Sequence, residues 1–356
     1  MGIVIKKYGD LTTPTPAYGG KVHTCFSPKH WKHFLVDSEG KLDGLDGVTH
    51  VLKLAVDKSQ PLMRWAVRLA LARAREKILA AGLGPDGAIQ LFTDELDKIL
   101  ADAKKADSDA VEEAGDVGHA AHDFIDRVCK AILAKDEKRL EEILGDWPED
   151  ERAENGAVAA ITWMVRHNIR IIKSEFRALS LDLKCCGTGD MLALVDSCDD
   201  PSCCQEVFKD RLSYCDWKTS NYLYVTYLWQ SALYSAATVE EFPDLQVEDR
   251  WVLRLDKEDA SFDPWHAAGR EAQAEDLHGF VCCLGVVRAL EATQKRIDAV
   301  LDIRKQIKAD AKAVEKLAQD KIRCPKADEY KGVRLTKCLP DGGQCEACKK
   351  KFEEKH

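Results

Sequence analysis

The sequence contains no apolar run of roughly 18 residues, so it offers no transmembrane helix. Residues 1–10 hold two lysines but no apolar stretch ahead of a small-residue cleavage site, and no secretory leader is expected. An excess of positive charge is also missing: 52 Lys and Arg stand against 61 Asp and Glu, a formal net charge of −9. That argues against a protein that coats nucleic acid through a broad basic surface. It leaves room for an enzyme that gathers carboxylates around a cation and confines its basic residues to one groove. No internal repeat is present. The expected setting is the cytoplasm, or the host cytoplasm for a viral protein, with no membrane partner.

Cysteine, by contrast, is abundant, with 14 in 356 residues. Without a leader these are expected as reduced thiols rather than a disulfide framework. Cys185-Cys186, Cys203-Cys204 and Cys282-Cys283 are adjacent pairs, which rarely bond each other and read as small buried hydrophobes. Hydrophobic residues make up 45% and charged residues 32%, ordinary for a globular chain long enough for one large domain or two smaller ones.

Periodicity divides the chain. Residues 1–50 read as irregular or short strands. Pro61 opens a helix that Gly82 and Gly84-Pro85 end, and Thr93 starts another with Asp94 and Glu95 in its first turn. The acidic stretch 102–117 reads as a solvated helix face or a mobile loop. A helix follows from Gly118 to about Ala134, then a short one, then a helical segment over 155–172. Ser174–Leu181, Met191–Val195 and Leu212–Lys218 switch to apolar–polar alternation, the pattern of strands. Tyr222–Ala237 is helical, Trp251–Leu255 a strand, and Trp265 to about Ala318 helical again. The expected organisation is a mostly helical N-terminal extension (1–117), an α/β core (118–292), a long charged helix (293–320) and a Cys-bearing tail (321–356). That tail carries ten Lys and Arg against six Asp and Glu, net +4, leaving −13 for the rest.

Side chains two apart on a strand share a face, so Asp216 and Lys218 point the same way and Trp217 points oppositely, toward a helix layer. Asp190 follows Gly187-Thr-Gly and opens the neighbouring strand. If the two strands pair, two carboxylates meet, and their repulsion is relieved by a divalent cation. Carboxylate sets with few other ligands suit Mg²⁺ or Mn²⁺. Such an ion, with a lysine beside it, points to phosphodiester hydrolysis.

Gly187-Thr-Gly-Asp190, then Asp216-Trp-Lys218-Thr-Ser, then Gln230-Ser-Ala-Leu-Tyr234 resembles the RecB-like branch of the PD-(D/E)XK nucleases, especially phage-type exonucleases. Gly118-His-Ala-Ala-His122-Asp-Phe-Ile-Asp126 is similar to that family's helix carrying a metal-site histidine; His119 competes with His122. The resemblance covers about residues 118–240. It implies a central mixed sheet flanked by helices, a restriction-endonuclease-like core with helical additions at both ends. It also implies His122, Asp190 and Asp216 as metal ligands, the Trp217 carbonyl completing the shell, and Lys218 as the catalytic lysine. Gln230 and Tyr234, i and i+4 on one helix face, stand near the substrate or brace the site. Glu175 on the preceding strand reads as an acidic residue behind the ligands. The implied activity is a Mg²⁺-dependent DNA exonuclease acting on linear double- or single-stranded ends, beside a single-strand annealing or single-strand-binding protein. End trimming in a CRISPR-adaptation or repair complex is the alternative use, and a non-catalytic DNA-binding module the alternative class. A homo-oligomer is compatible with all three.

Two cysteine groups stand apart. Cys198, Cys203 and Cys204 lie in an acidic insert between the Asp190 and Asp216 strands, read as a surface excursion or a small metal-bound knuckle. Cys324, Cys338, Cys345 and Cys348 place four thiols within the tail, with a C-x-x-C half-site. They suit tetrahedral Zn²⁺, no metal at all, or an iron–sulfur cluster. The cluster of RecB-like nucleases takes one cysteine ahead of the nuclease motifs, whereas here all four follow them.

Overall fold

The structure is a computed structural model, and it describes residues 10–56, 59–80, 93–204 and 206–322. The chain divides into two units, Met1–Val287 and Arg288–His356. In the second unit the described part is the continuation of one helix. None of the described helices is long and apolar enough to cross a membrane.

The first unit is α/β, with a mixed nine-stranded sheet flanked by helices. β1 (Thr15–Ala17), β2 (Val22–Ser27), β3 (Lys32–Val36) and β4 (Leu42–Gly47) form an antiparallel meander. Helices α1 (Val48–Ala55), α2 (Ser59–Ala80), α3 (Thr93–Ala103), α4 (Ala106–Ala134), α5 (Glu137–Leu144) and α6 (Glu151–Arg166) follow. The acidic stretch 102–117 is not a loop. Most of it is the first part of α4, which presents Asp109, Glu112, Glu113 and Asp116 to solvent.

β5 (Arg170–Ser180), β6 (Cys185–Val195) and β7 (Arg211–Lys218) come next, then α7 (Val225–Glu241), β8 (Asp249–Leu255), β9 (Phe262–Ala268) and α8 (Arg270–Ile322). Two boundaries depart from the sequence reading. Helix α6 stops at Arg166, and β5 begins at Arg170, with Ile171-Ile172 in a strand where β-branched side chains pack well. Trp265–Ala268, read as the start of a helix, instead belong to strand β9. β9 ends the sheet order, and an edge strand tolerates Pro264, whose missing N–H costs nothing on the open side.

β6 organises the sheet. One of its edges pairs with β5 along its length. Its other edge is shared: Asp46-Gly47 of β4 runs parallel beside Cys185-Cys186, and β7 runs antiparallel beside Met191–Val195. The β6–β7 ladder ends at Met191 opposite Cys215. Beyond that pair β7 leaves β6 and stays with β8 through Lys218. Asp190 therefore sits mid-strand, at the point where the two strands part.

The two sheet faces carry separate cores. Trp163 of α6, Met191, Cys215, Trp217, Trp251 and Leu253 pack on the α4–α6 side, with Trp217 edge-on to Trp163 at 5.8 Å. Leu192, Tyr214, Leu233, Tyr234 and Phe280 pack on the α7–α8 side. Gly187 and Gly189 serve the second face. A Cβ on Gly187 would stand 2.7 Å from the Tyr234 ring, and one on Gly189 would stand 2.9 Å from Tyr214 and 3.0 Å from Phe176. The Gly-Thr-Gly run thus lets aromatic rings lie directly on the strand.

The insert between β6 and β7 is not a free surface excursion, since Cys203 and Cys204 are buried and join the α4–α6 core. Cys324, Cys338, Cys345 and Cys348 lie outside the described residues.

Replacing Gly187 with Ala forces the Tyr234 ring off β6. It is expected to cost about 1–3 kcal/mol, the usual range for overpacking, read as a lower urea midpoint with an unchanged slope.

Candidate metal and active site

α4 lies beside the point where β6 and β7 part, and its inward face carries His122. The imidazole Nδ1 is 3.9 Å from Asp190 Oδ1. Asp190 Oδ2 accepts a hydrogen bond of 2.7 Å from the Trp217 N–H. A carboxylate thus closes the gap where the main-chain ladder has ended, and a charge-assisted bond of this kind is stronger than a neutral one. The Trp217 carbonyl lies beside the His122 ring, so the backbone of one residue contacts both groups.

Glu175 completes the cluster. Its carboxylate, the Asp190 carboxylate and a His122 ring nitrogen all lie within 4.8 Å of one another. Glu175 has φ +44°, a left-handed conformation that is rare for a residue with a side chain and that recurs at functional sites. Its neighbours Ser174 and Phe176 keep their partners Met191 and Gly189. The kink is therefore confined to the one residue that faces the cluster.

Asp216 is fully buried and lies against Asp190, close enough for the two carboxyls to share a hydrogen bond. Tyr214, two residues earlier on the same face, donates its hydroxyl to Asp216 Oδ1 at 3.0 Å. Lys218 ion-pairs with Asp216 Oδ2, and its ammonium stands 5.2 Å from the centre of the Tyr227 ring.

The electrostatics are those of crowded acids. Burial raises the Asp190 carboxyl above the usual carboxylate range, against the pull of Lys218. Burial and the neighbouring Asp190 push Asp216 up to about 6, although Lys218 pulls it down. Desolvation within the cleft, then Asp190 and Asp126, push Glu175 up to about 7, even though the residue as a whole keeps solvent access. For His122, desolvation and then Lys218 bring the imidazole down to about 4, so it is neutral near pH 7 and able to act as a ligand. Burial pulls Lys218 down as well, but Asp216 and Asp190 outweigh it and the net shift is upward. The lysine stays charged.

One lysine facing three mutually repelling carboxylates and a neutral imidazole is the donor chemistry of a divalent cation site. The residues fit such an ion, with His122, Glu175 and Asp190 able to hold it. The cluster opens onto two adjoining hollows, both lined by His122. One, of about 610 Å³, runs past Asp126, Lys130 and Glu175. The other, of about 400 Å³, runs past Lys218, Asn221, Tyr227 and Lys257.

The sequence-derived site residues fall into three groups. His122 and Asp190 stand together with Glu175, and Asp216, paired with Lys218, lies against Asp190. His119 is exposed at the rim of the larger hollow. Gln230 and Tyr234 are buried, and they line neither hollow. The Gln230 amide is 3.4 Å from the Tyr234 hydroxyl, and the Tyr234 ring supports β6 beneath the site. Sequence reasoning missed Tyr214, although the strand alternation that linked Asp216 to Lys218 also reaches it. It missed Asp126 too, which accepts 2.8 Å from Ser174 and 2.5 Å from Lys130 and so ties α4 to β5 beside Glu175.

A second group of side chains among the described residues also has metal-binding geometry: His167 with Cys198, Cys203 and Cys204. No protein-family model matches this sequence, and comparison with curated proteins finds no match.

Adding Mn²⁺ or Mg²⁺ to protein stripped with EDTA is expected to raise the unfolding temperature, since binding at 100 times Kd adds about 2.7 kcal/mol. Asp190→Asn and Glu175→Gln are expected to leave the metal-free protein at least as stable and to abolish most of that rise. An undiminished rise in both variants contradicts the ligand assignment.

Proposed function

We propose that this chain is a metal-dependent deoxyribonuclease that hydrolyses phosphodiester bonds, with the fold and chemistry of the PD-(D/E)XK class and Mg²⁺ or Mn²⁺ as its cofactor. The observation that carries the reading is the convergence of His122, Glu175 and Asp190 within 4.8 Å, with the Asp216–Lys218 ion pair alongside. The mixed sheet and its flanking helices are compatible with it. A divalent ion held there would supply Lewis acidity toward a phosphoryl oxygen and toward water.

The chain's own groups have distinct tasks in this reading. Asp216, fixed by Tyr214, aims the Lys218 ammonium at the cleft. That fixed positive charge meets the negative charge that grows on a phosphodiester as it is attacked. Asp190 is oriented by the Trp217 N–H, so the carboxylate does not have to reorganise when substrate arrives. His122 remains neutral and does not compete with Lys218 for the phosphate. Glu175, raised to about 7, has the pKa range of a proton acceptor at neutral pH when no ion is bound.

Lys218 and Lys257 line the smaller hollow, which provides local positive charge despite the net acidity of the chain. Tyr222, 69% exposed, and Tyr224 lie on the segment leading into α7 beside this hollow, where rings suit stacking on unpaired bases. These features support a DNA strand or end as the substrate. An exonuclease in recombination, repair or phage DNA metabolism is the use we favour.

End-labelled single- and double-stranded DNA incubated with the protein should be degraded with Mg²⁺ or Mn²⁺ and left intact with EDTA. Asp216→Ala and Lys218→Ala should each lower cleavage at least a hundredfold while the fold survives, the scale of loss for a group stabilising transition-state charge. Comparison of linear with closed circular DNA separates exonuclease from endonuclease action. Cleavage that persists in EDTA, or in both variants, refutes the proposal.

A further inference from the structure

The insert joining β6 to β7 runs from residue 196 to 210, and its described residues form no helix or strand. An irregular segment of that length in a compact fold usually has its own means of staying folded. Its base is closed by hydrogen bonds: Ser197 N–H to the Phe208 carbonyl at 3.0 Å, and Phe208 N–H to Ser197 Oγ at 3.0 Å. Asp196 accepts from the Asp210 N–H at 2.7 Å, and the Asp196 N–H reaches the His167 carbonyl at 2.9 Å. These contacts fix the two ends of the insert and dock its start against the end of α6. They leave the interior to be held by something else.

That interior is a ring of donor atoms. Cys198 Sγ and Cys204 Sγ are 3.6 Å apart. His167 Nε2 is 3.3 Å from Cys203 Sγ and 3.5 Å from Cys204 Sγ. All four donors lie within 4.8 Å of one another. A tetrahedral zinc with bonds of about 2.3 Å to sulfur and 2.0–2.1 Å to nitrogen has edges of roughly 3.5–3.8 Å; the 3.6 and 3.5 Å spacings fall in that range and the 3.3 Å spacing lies just below it. The sulfurs are much too far apart for a disulfide, whose bond is about 2.05 Å. They are also spaced as around a single ion, whereas an iron–sulfur cluster would separate its ligands by its own width.

We propose that His167, Cys198, Cys203 and Cys204 form a closed, structural Zn²⁺ site. The surroundings are arranged as a supporting layer for it. His167 Nδ1 is 2.9 Å from the Trp163 carbonyl, which sets the tautomer with its proton on Nδ1 and leaves the Nε2 lone pair facing the thiols. The ring is fully buried and stacked 4.6 Å from Trp163. The Cys198 N–H points at Cys204 Sγ from 3.3 Å, a donor placed to stabilise a thiolate. The Cys203 and Cys204 N–H groups both bind the Asp200 carbonyl, at 3.0 and 2.9 Å, in a tight turn that presents both sulfurs to one point.

The four protein ligands leave no open position for substrate, so the site is a staple rather than a second reaction centre. It joins the end of α6 to the insert that leads into β7. Lys218 stands at the other end of that strand, and even Asp216 is roughly 16 Å from Arg211 along it. The site stands independently of the nuclease reading.

The test uses the full-length chain with Cys324, Cys338, Cys345 and Cys348 all changed to Ser, so that the tail cannot contribute thiols. This protein should purify with about one zinc per chain, as one tetrahedral site requires. After exchange to Co²⁺ it should show the thiolate-to-metal charge-transfer absorption that the His122, Glu175 and Asp190 group, lacking sulfur, cannot give. Adding Cys203→Ser should remove the zinc and the absorption, and Cys203→His should keep the zinc. If Cys203→Ser fails to fold, mercurial titration of the folded parent decides the matter by releasing zinc in step with the titrated thiols. A parent that contains no zinc and shows no thiolate absorption with Co²⁺ overturns the proposal, as does zinc unaffected by Cys203→Ser or by the mercurial.

Discussion

Three carboxylates, Glu175, Asp190 and Asp216, are held around one cleft, with Lys218 paired to Asp216. Like charges in a desolvated site repel strongly, and a chain with no use for the crowding would have an easier fold without it. Burial raises all three acids, and neighbouring carboxylates add to it at Glu175 and Asp216. A divalent cation relieves the crowding, and the neutral His122 beside the acids extends the donor set in the direction a cation needs. The kinked backbone at Glu175 is a further local strain, located at the residue that completes the set.

The fold produces this crowding through one topological feature. β6 gives one edge to β5 and divides the other between β4 and β7, so β7 must leave it partway. At the divergence the Trp217 N–H loses a main-chain partner and takes the Asp190 carboxylate instead. The carboxylate is thereby fixed at the sheet interior, facing the helix that carries His122. Gly187 and Gly189 allow Tyr234 and Tyr214 to press on the opposite face, which stiffens the strand that holds Asp190. At the far end of the same two strands, the insert and His167 close the structure with a different chemistry. The two donor sets differ as hard oxygen-rich and soft sulfur-rich sites do, and they suit different ions.

Much of this was legible in the amino acids. The alternation in Leu212–Lys218 located β7 and put Asp216 and Lys218 on one face. Asp190 was placed on the neighbouring strand, and the resemblance of Gly118–Asp126 to a nuclease helix singled out His122; that Gly187 and Gly189 make room for aromatic rings was not read from the sequence. What escaped was long-range or conformational. The parallel pairing of β4 with β6 joins segments more than a hundred residues apart, and no local pattern encodes it. β9 was hidden because Pro264 is compatible with a strand only at an edge, and the position in the sheet order is not written in the segment. Glu175 read as a residue behind the ligands, and nothing in the local pattern announces the left-handed kink at the position that joins His122 and Asp190. His167 escaped because it precedes the nearest cysteine of its group by about thirty residues, and only the docking of the insert onto α6 unites them.

The central claim is that His122, Glu175 and Asp190 hold a divalent cation. Anomalous scattering from crystals equilibrated with Mn²⁺ tests it most directly. The account predicts an anomalous peak within coordination distance of the His122 ring nitrogen and of both carboxylates. Saturating Mn²⁺ with no peak there would contradict it.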